Sequence, residues 1–186
     1  MVRALILAAL AFTLAACSSN PPVTDFSNRS IVYSWIDTSG VPGNRMTYFE
    51  MRNLMEPANQ RHYPFGVRRM GRGFLVWHAG VNPGRYEYSQ ANLMSCAGPL
   101  CTNQVNEFDF GPLGTAPGQV RIDAPGVYFA GCTAMKRTRR GFFRPGQFDT
   151  GPVPCGVSRQ AMLQQMLADA PTEHPIVAQR IRAAMR

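Results

Sequence analysis

Eight short apolar or alternating segments, each bounded by Gly, Pro, Asn or Asp, constrain the fold of this chain most strongly. Alternation with a period of two places side chains on opposite faces of a strand, and Gly and Pro mark the turns between strands. No helical pattern separates the segments, which favours antiparallel pairing. We therefore predict a mainly β fold, an antiparallel β-sandwich or barrel-like arrangement of about eight short strands. The segments are SIVYSWI, MTYFEMRN, GFLVWHAG, RYEYSQ, VNEFDFG, QVRID, VYFAGCTAM and GFFRPGQFD.

One turn sequence precedes two of these strands. NPGRYEY at 82–88 and APGVYFA at 124–130 both place Pro-Gly before X-Tyr. Pro fixes φ at the second position of the turn and Gly supplies the positive φ that follows, so each copy starts a strand with Tyr86 or Tyr128 on one face. In this turn the chain resembles small extracellular and periplasmic β-sandwich domains. The resemblance indicates a scaffold element rather than a binding site.

The C-terminal segment has a helical pattern. Ser158 can cap a helix that ends at Pro171, and its apolar residues fall on one face: Met162, Leu163, Met166 and Leu167. A second short helix is predicted from about residue 174 to residue 186. We expect this helical segment, residues 158–186, to pack on an open face or edge of the sheet. The alternative is that the last helix is a basic amphipathic element for a membrane surface or a partner groove.

The N-terminal residues have the layout of a secretory signal. Arg3 precedes a stretch at residues 4–16 that is apolar except for Thr13 and is shorter than the roughly 20 residues that span a bilayer. The next feature resembles the lipobox of bacterial lipoproteins: Leu14, Ala15, Ala16 and Cys17. The resemblance implies that residues 1–16 are removed, that Cys17 receives a diacylglyceryl thioether, and that its amino group is acylated, typically with palmitate. The alternative is an ordinary cleavable signal in which Cys17 is incidental.

The residues after Cys17 bear on location and domain boundaries. In lipoprotein sorting, Asp after the lipidated Cys typically holds a protein at the inner membrane, whereas this chain has Ser18. The resemblance therefore implies a lipid-anchored protein of the bacterial cell envelope, at the outer membrane and facing the periplasm. Residues 17–28 are expected to form the lipidated N-terminus and a flexible tether, because this stretch is polar, contains Pro and lacks periodicity. The β-sandwich domain is expected over 29–157.

The chain has five cysteines, an odd number for an exported protein. If the lipid takes Cys17, four remain, and three connectivities are open to them. We favour the pairs Cys96 with Cys101 and Cys132 with Cys155, as disulfides of an oxidising compartment. A zinc site is the alternative, but these four cysteines lack the C-x2-C spacing that is typical of one.

A search for catalytic patterns yields no candidate catalytic residue. The histidines His62, His78 and His174 are far apart and do not match a metal-ligand spacing, and no G-x-S-x-G motif is present. Glu107 and Asp109 alternate with Phe108 and Phe110, so both carboxylates fall on one strand face. This pattern is typical of a solvated face over an aromatic core, although an acid pair or a cation site is the alternative. We expect no cofactor and no metal.

A basic segment stands out from the overall charge of +8. KRTRR at 136–140 is followed by Phe-Phe-Arg, and we expect an exposed hairpin whose cations contact an anionic partner: Lys136, Arg137, Arg139, Arg140 and Arg144. A second basic group is formed by Arg68, Arg69 and Arg72. Candidate partners are anionic lipid, lipopolysaccharide or another envelope protein, and no nucleic acid is expected. The alternative is a solvated turn that blocks aggregation at a sheet edge.

Three functions remain open from the sequence. The first is a non-enzymatic, membrane-anchored envelope lipoprotein that acts as a binding or scaffold module. The second is an accessory subunit of a secretion or surface-assembly machine, with the basic hairpin and the C-terminal helix as docking elements. The third is a cell-wall or lipid hydrolase, which would require His62 or His78 to lie in a buried cluster with Glu or Asp.

Overall fold

The computed structural model describes residues 23, 25–41, 44–55, 62–97, 100–139 and 147–186. Within them the chain forms ten strands and two C-terminal helices, so the predicted mainly β fold class is confirmed. The strands are β1 (Ser30–Gly40), β2 (Asn44–Asn53), β3 (His62–Pro64), β4 (Gly66–Met70), β5 (Gly73–Val81), β6 (Gly84–Ala97), β7 (Leu100–Asp109), β8 (Val120–Ile122), β9 (Val127–Arg139) and β10 (Gln147–Pro152). The helices are α1 (Arg159–Asp169) and α2 (Pro175–Ala184).

The strands form two sheets that pack face to face. Sheet A has the order β10-β9-β1-β5-β4, and sheet B has the order β3-β2-β6-β7, with β8 paired to the start of β6. Every described pair is antiparallel except β1 with β9, which is parallel. These two strands are far apart in the chain, so no tight turn between them requires antiparallel pairing. Of the two arrangements allowed by the sequence, the sandwich is the one observed.

Strand β1 lies in the middle of sheet A and is covered on both faces. Val32 and Ile36 belong to the core between the two sheets. Ile31, Tyr33 and Trp35 alternate with them and belong to a second core on the opposite face of sheet A. A strand that is buried on both faces has an apolar sequence throughout, which is why SIVYSWI shows little alternation.

The two helices cover the outer face of sheet A. The Ser158 hydroxyl accepts a hydrogen bond from the Ala161 amide at 3.1 Å and caps α1 as predicted. The apolar faces of both helices are buried in the second core through Met162, Leu163, Met166, Val177 and Ile181. The molecule therefore has three layers, helices, sheet A and sheet B, and the apolar face of α2 is occupied by its own fold.

Arg180 of α2 holds the segment that leads into β1. Its guanidinium donates to the carbonyl oxygens of Phe26 and Ser27, both at 2.7 Å, and also to that of Arg29. Carbonyl groups in an irregular segment need such donors because no strand partner satisfies them. The first described residues are thereby fixed to the helical layer.

The strand registers define two ends of the sandwich. Ser30 of β1 lies opposite Val81, close to the β5–β6 turn at 82–83 and to the segment 123–126 that precedes β9; we call this the entry end. At the other end, which we call the distal end, Gly40 lies beside Lys136, close to the β4–β5 turn at 71–72. Strand β1 has 11 residues. At a rise of about 3.3 Å per residue, the two ends are roughly 35 Å apart.

Candidate functional site

The basic segment that the sequence singles out continues β9 at the distal end. Strands β9 and β10 pair as antiparallel neighbours, with Arg139 opposite Gln147, and Lys136 is exposed. Arg140 and Arg144 lie outside the described residues, and so do the side chains of Arg137 and Arg139. The described part of this candidate surface is therefore the strand pair that carries it and the exposed Lys136.

The second basic group is divided between two places. Arg72 lies in the β4–β5 turn at the distal end, and its Nε is 3.0 Å from Oδ2 of Asp37. Arg68 pairs with Asp169 of α1 at 3.3 Å, and the Arg69 guanidinium lies 5.6 Å from the ring centroid of Phe74. Asp37 of β1 lies between Gly73 of β5 and Ala134 of β9 in sheet A. Arg72, which precedes β5, and Lys136 of β9 therefore lie at the same end of the sheet, on either side of β1. Arg72 thus adds to the distal cationic surface, whereas Arg68 belongs to the helical side.

A buried carboxylate on β2 collects three hydrogen bonds on the outer face of sheet B. Glu50 Oε1 accepts from His62 Nδ1 at 2.7 Å and from the Ser89 hydroxyl at 2.9 Å, and its Oε2 accepts from the Tyr48 hydroxyl at 2.5 Å. The Glu50 side chain is 7% exposed, whereas His62 is 40% exposed. Burial, together with the hydrogen bond to Glu50, raises the pKa of Tyr48, so this phenol stays protonated as a donor.

This cluster meets part of the condition set for a hydrolase. His62 lies against a buried carboxylate, which is the orienting half of a catalytic triad. In a triad, however, the nucleophilic hydroxyl contacts the second ring nitrogen of the histidine. Here Ser89 donates to the same Glu50 oxygen that binds His62. The described geometry therefore provides a His–Glu pair in which the Ser89 hydroxyl is directed to the carboxylate of Glu50 and not to the histidine ring.

A second buried carboxylate lies nearby, on β6. Glu87 Oε1 accepts from Arg52 Nε at 2.9 Å, from Arg52 Nη2 at 2.7 Å and from the Gly114 amide at 2.8 Å. The Glu87 side chain is fully buried, and among the described residues none is hydrogen-bonded to its Oε2. Gly114 and Gly118 lie in the segment 110–119 that connects β7 to β8. Gly118, at φ +71°, lets this segment approach β6 closely, because a Cβ there would lie 1.9 Å from the Tyr88 ring. The pair holds β2, β6 and this segment together.

The sequence did not identify these residues as a group, although their strands show a common pattern. Tyr48, Glu50 and Arg52 are spaced by two in TYFEMRN, and Glu87 and Ser89 are spaced by two in RYEYSQ. Each set places polar side chains on one strand face and apolar side chains on the other. The sequence signal for this group of residues is therefore a pair of alternating strands that carry opposite charges, with Arg52 in the first and Glu87 in the second.

The remaining histidines lie in other environments. His78 packs against the rings of Tyr63 and Phe65, at centroid distances of 5.6 and 5.8 Å. Burial lowers its pKa to about 4, although a hydrogen bond with the Pro64 backbone acts in the opposite direction. His174 lies 4.6 Å from the Phe26 ring at the start of α2. The three histidines do not converge, and no group of three or more His, Cys, Asp or Glu within the described segments is arranged to hold a metal ion.

The acidic residues of β7 form a solvated face. Glu107 and Asp109 are both exposed and lie opposite Asn92 and Gln90 of β6. Asp109 Oδ1 accepts from the amide of Gly111 at 2.8 Å. The intervening aromatic side chains point to the other face, so the arrangement matches the pattern expected for an exposed strand face over an aromatic core.

The four cysteines after Cys17 form two disulfides, in the pairing that the sequence favoured. Cys96 and Cys101 are bonded across the β6–β7 strand pair at the distal end. Cys132 of β9 is bonded to Cys155, in the segment that leads from β10 to α1. The second bond joins sheet A to the helical layer. Cys17, the predicted lipidation site, lies outside the described residues.

Comparison with known proteins adds no family to this description. No family model, no curated protein and no solved structure matches the chain. Neither helix of the described part is long and apolar enough to cross a membrane. The function must therefore be argued from the residues and geometry given above.

Proposed function

We propose that this chain is a non-enzymatic lipoprotein of the bacterial cell envelope that is anchored through Cys17. Its domain binds an anionic envelope component or acts as a scaffold for it. The lipobox resemblance at Leu14, Ala15, Ala16 and Cys17 supports the anchor. The observation that carries the binding role is the position of the cations at the end of the sandwich opposite to the entry of the chain. Lys136 and Arg72 lie at this distal end, whereas Ser30 lies at the entry end.

The geometry identifies the end of the domain that an anchor at Cys17 would join. Strand β1 begins 13 residues after Cys17 and runs away from the entry end. An anchor at Cys17 joins the domain at its entry end, and the distal cations lie roughly 35 Å from that end along β1. This position leaves them accessible to an anionic component of the envelope. Two disulfides are consistent with an oxidising compartment of this kind.

The anchor is tested by replacing Cys17. In the Cys17→Ser variant the mature protein should lose its membrane-bound form, because no thioether can form at serine and a signal without the cysteine is not processed in the lipoprotein pathway. The measurement is detergent phase partitioning of whole envelopes, with Ser19→Ala as a control that leaves the lipobox intact. An unchanged membrane fraction of a normally processed Cys17→Ser variant would contradict the anchor.

The distal contact is tested by removing its charge. Replacement of Lys136, Arg137, Arg139 and Arg140 by Ser should leave thermal unfolding unchanged and weaken binding to lipopolysaccharide and to anionic vesicles, with a loss that shrinks as salt rises. Arg182→Ser/Arg186→Ser removes exposed charge from the helical side and serves as the control. Equal binding by the distal variant and the parent at low salt refutes the contact. A fixed set of envelope proteins that co-purifies with the parent, and not with the distal variant, would identify a machine subunit.

A hydrolase is the second candidate, favoured by the contact between His62 and Glu50. A fluorophosphonate probe labels a serine only where a neighbouring base activates it. If the cluster is catalytic, the probe should label Ser89 in the parent, and His62→Ala should abolish the label. Absence of labelling at Ser89 in the folded parent refutes Ser89 as a catalytic nucleophile.

A further inference from the structure

Two arginines face each other directly across the short β6–β8 pair. Arg85 lies opposite Arg121 in the register, between the neighbouring pairs Gly84 with Ile122 and Tyr86 with Val120. Tyr86 and Val120 point toward the core between the sheets. Alternation therefore places both arginines on the outer face of sheet B, where both are exposed.

Such a pair is unfavourable without a bound anion. Directly opposite residues of an antiparallel pair have Cβ atoms about 4.5–5.5 Å apart, and like charges in this position destabilise the pair. Arg121 has one carboxylate partner, Asp123, at 2.8 Å, and both side chains are at least 70% exposed. The Arg85 side chain makes no hydrogen bond or ion pair with another residue in the described part of the chain.

A cleft lies between these arginines. It has a volume of about 360 Å³ and is lined by Leu54, Arg85, Tyr86, Gln119, Val120 and Arg121. The Gln119 side-chain amide donates to the Gly114 carbonyl at 3.0 Å, which holds this wall in place. Because the Tyr86 and Val120 side chains point into the core, the cleft combines two guanidinium groups and an amide with the single apolar side chain of Leu54.

The nearby carboxylates leave the cleft cationic. Glu87 is on the same face of β6 as Arg85, but it is fully buried and its Oε1 is bonded to Arg52 and to the Gly114 amide. Asp123 neutralises Arg121 only through an exposed ion pair, which stabilises weakly and is screened by salt. An anion with more than one oxygen can therefore compete for both guanidinium groups.

We propose that Arg85 and Arg121 form a binding site for a phosphate group. The planar fork of a guanidinium matches the oxygens of phosphate, and two guanidinium groups can bind one phosphate from two sides. Leu54 lies in the wall of the cleft and gives the organic portion of a phosphate ester an apolar side chain to contact. This site is separate from the distal cations, because Arg85 and Arg121 lie at the entry end.

The position of the site suggests two sources of phosphate. Arg85 follows the β5–β6 turn at 82–83, at the end where the chain enters the domain. If the chain is anchored at Cys17, this end faces the membrane and a phospholipid headgroup is within reach. A soluble phosphate ester would use the same two guanidinium groups. The site itself does not depend on the anchor.

The test titrates the full chain, purified in non-ionic detergent, with three probes by isothermal calorimetry. The probes are inorganic phosphate, glycerol 3-phosphate and the water-soluble lipid dihexanoyl phosphatidylglycerol. Arg85→Gln and Arg121→Gln should each weaken binding about tenfold, because each removes a charge-assisted contact. Asp123→Asn should strengthen binding about two- to fivefold by removing the competing carboxylate. Arg182→Gln, on the exposed side of α2, is the matched control and should leave the affinity unchanged.

The outcomes distinguish the two sources of phosphate and show which results overturn the proposal. Tighter binding of the lipid than of glycerol 3-phosphate assigns the site to a headgroup, and equal binding assigns it to a soluble phosphate. Each cleft variant removes the repulsion between two exposed cations, so neither should unfold at a lower temperature than the parent. A gain of affinity in Asp123→Asn cannot result from misfolding. No binding of any probe by the parent overturns the proposal. So does a loss of the same size in Arg182→Gln, or unchanged affinity in both cleft variants.

Discussion

Acid should destabilise this protein through His78, and the size of the effect follows from its surroundings. The His78 ring packs between Tyr63 and Phe65 on the inner side of β5. Burial lowers its pKa in the folded protein to about 4, whereas the pKa of an unfolded chain is about 6.5. Between these two values the unfolded state binds more protons than the folded state. The free energy of unfolding must therefore fall as the pH is lowered from about 6.5 to about 4.

The two pKa values bound the magnitude of this loss. A difference of about 2.5 pKa units corresponds to about 3 kcal/mol when the pH is below both values. At pH 5 the unfolded histidine is almost fully protonated and the folded one is not, so about 2 kcal/mol should already be lost relative to pH 7. Asp169 and Arg68 line the cleft beside His78 and pair with each other. The ion pair between Arg68 and Asp169 is left intact in any variant that changes His78 alone.

The assay is urea unfolding of the full chain at pH 7 and pH 5, for the parent and for His78→Gln. Glutamine keeps a polar group for the Pro64 backbone but cannot take up a proton. The variant should lose about 2 kcal/mol less than the parent between the two pH values. His174→Gln is the control and should keep the acid sensitivity of the parent. If His78→Gln and the parent lose the same free energy, burial of His78 is not the cause.

Three further outcomes follow from the disulfides and from the buried ion pair. The disulfide of Cys132 spans 23 positions and that of Cys96 spans 5. Replacing both cysteines of each bond by Ser should therefore lower the free energy of unfolding by about 3 and about 2 kcal/mol in urea titrations. Thiol titration of the denatured, unreduced mature protein should find no free thiol in either pair. Arg52→Gln should cost about 3–5 kcal/mol because it leaves Glu87 charged and buried, and Arg52→Met/Glu87→Leu should recover most of that loss.

Local patterns were sufficient to predict some elements of the fold. Helix α1 was recognisable because a capping serine and apolar residues at helical spacing coincide, and the structure begins the helix at Arg159. Strand β1 was recognisable because its apolar segment is bounded by turn residues. The sequence of β4 predicts a basic group and not a strand, because an edge strand with two arginines has little of the apolar character that marks a strand.

The sequence does not predict which strands pair when they are far apart in the chain. The parallel pairing of β1 with β9 joins Ile31 to Val127, and nothing in either segment specifies the other as its neighbour. The cluster around Glu50 depends on the register of β2 and β6, which is interrupted by irregularities on both sides of Phe49. A slip of one residue would turn Glu50 to the opposite face of the sheet, so a pattern of alternation alone cannot establish which polar groups meet.

The basic residues that give the chain its net charge of +8 include two groups whose contacts respond differently to salt. Arg52 and Arg180 have partners within the fold: a buried carboxylate for the first and backbone carbonyls for the second. Such contacts are largely shielded from solvent, so salt screens them little. Arg85 and Lys136 are exposed at opposite ends of the sandwich. High salt should therefore weaken binding at both ends while leaving the stability of the domain nearly unchanged, which separates a loss of binding from a loss of structure in one titration.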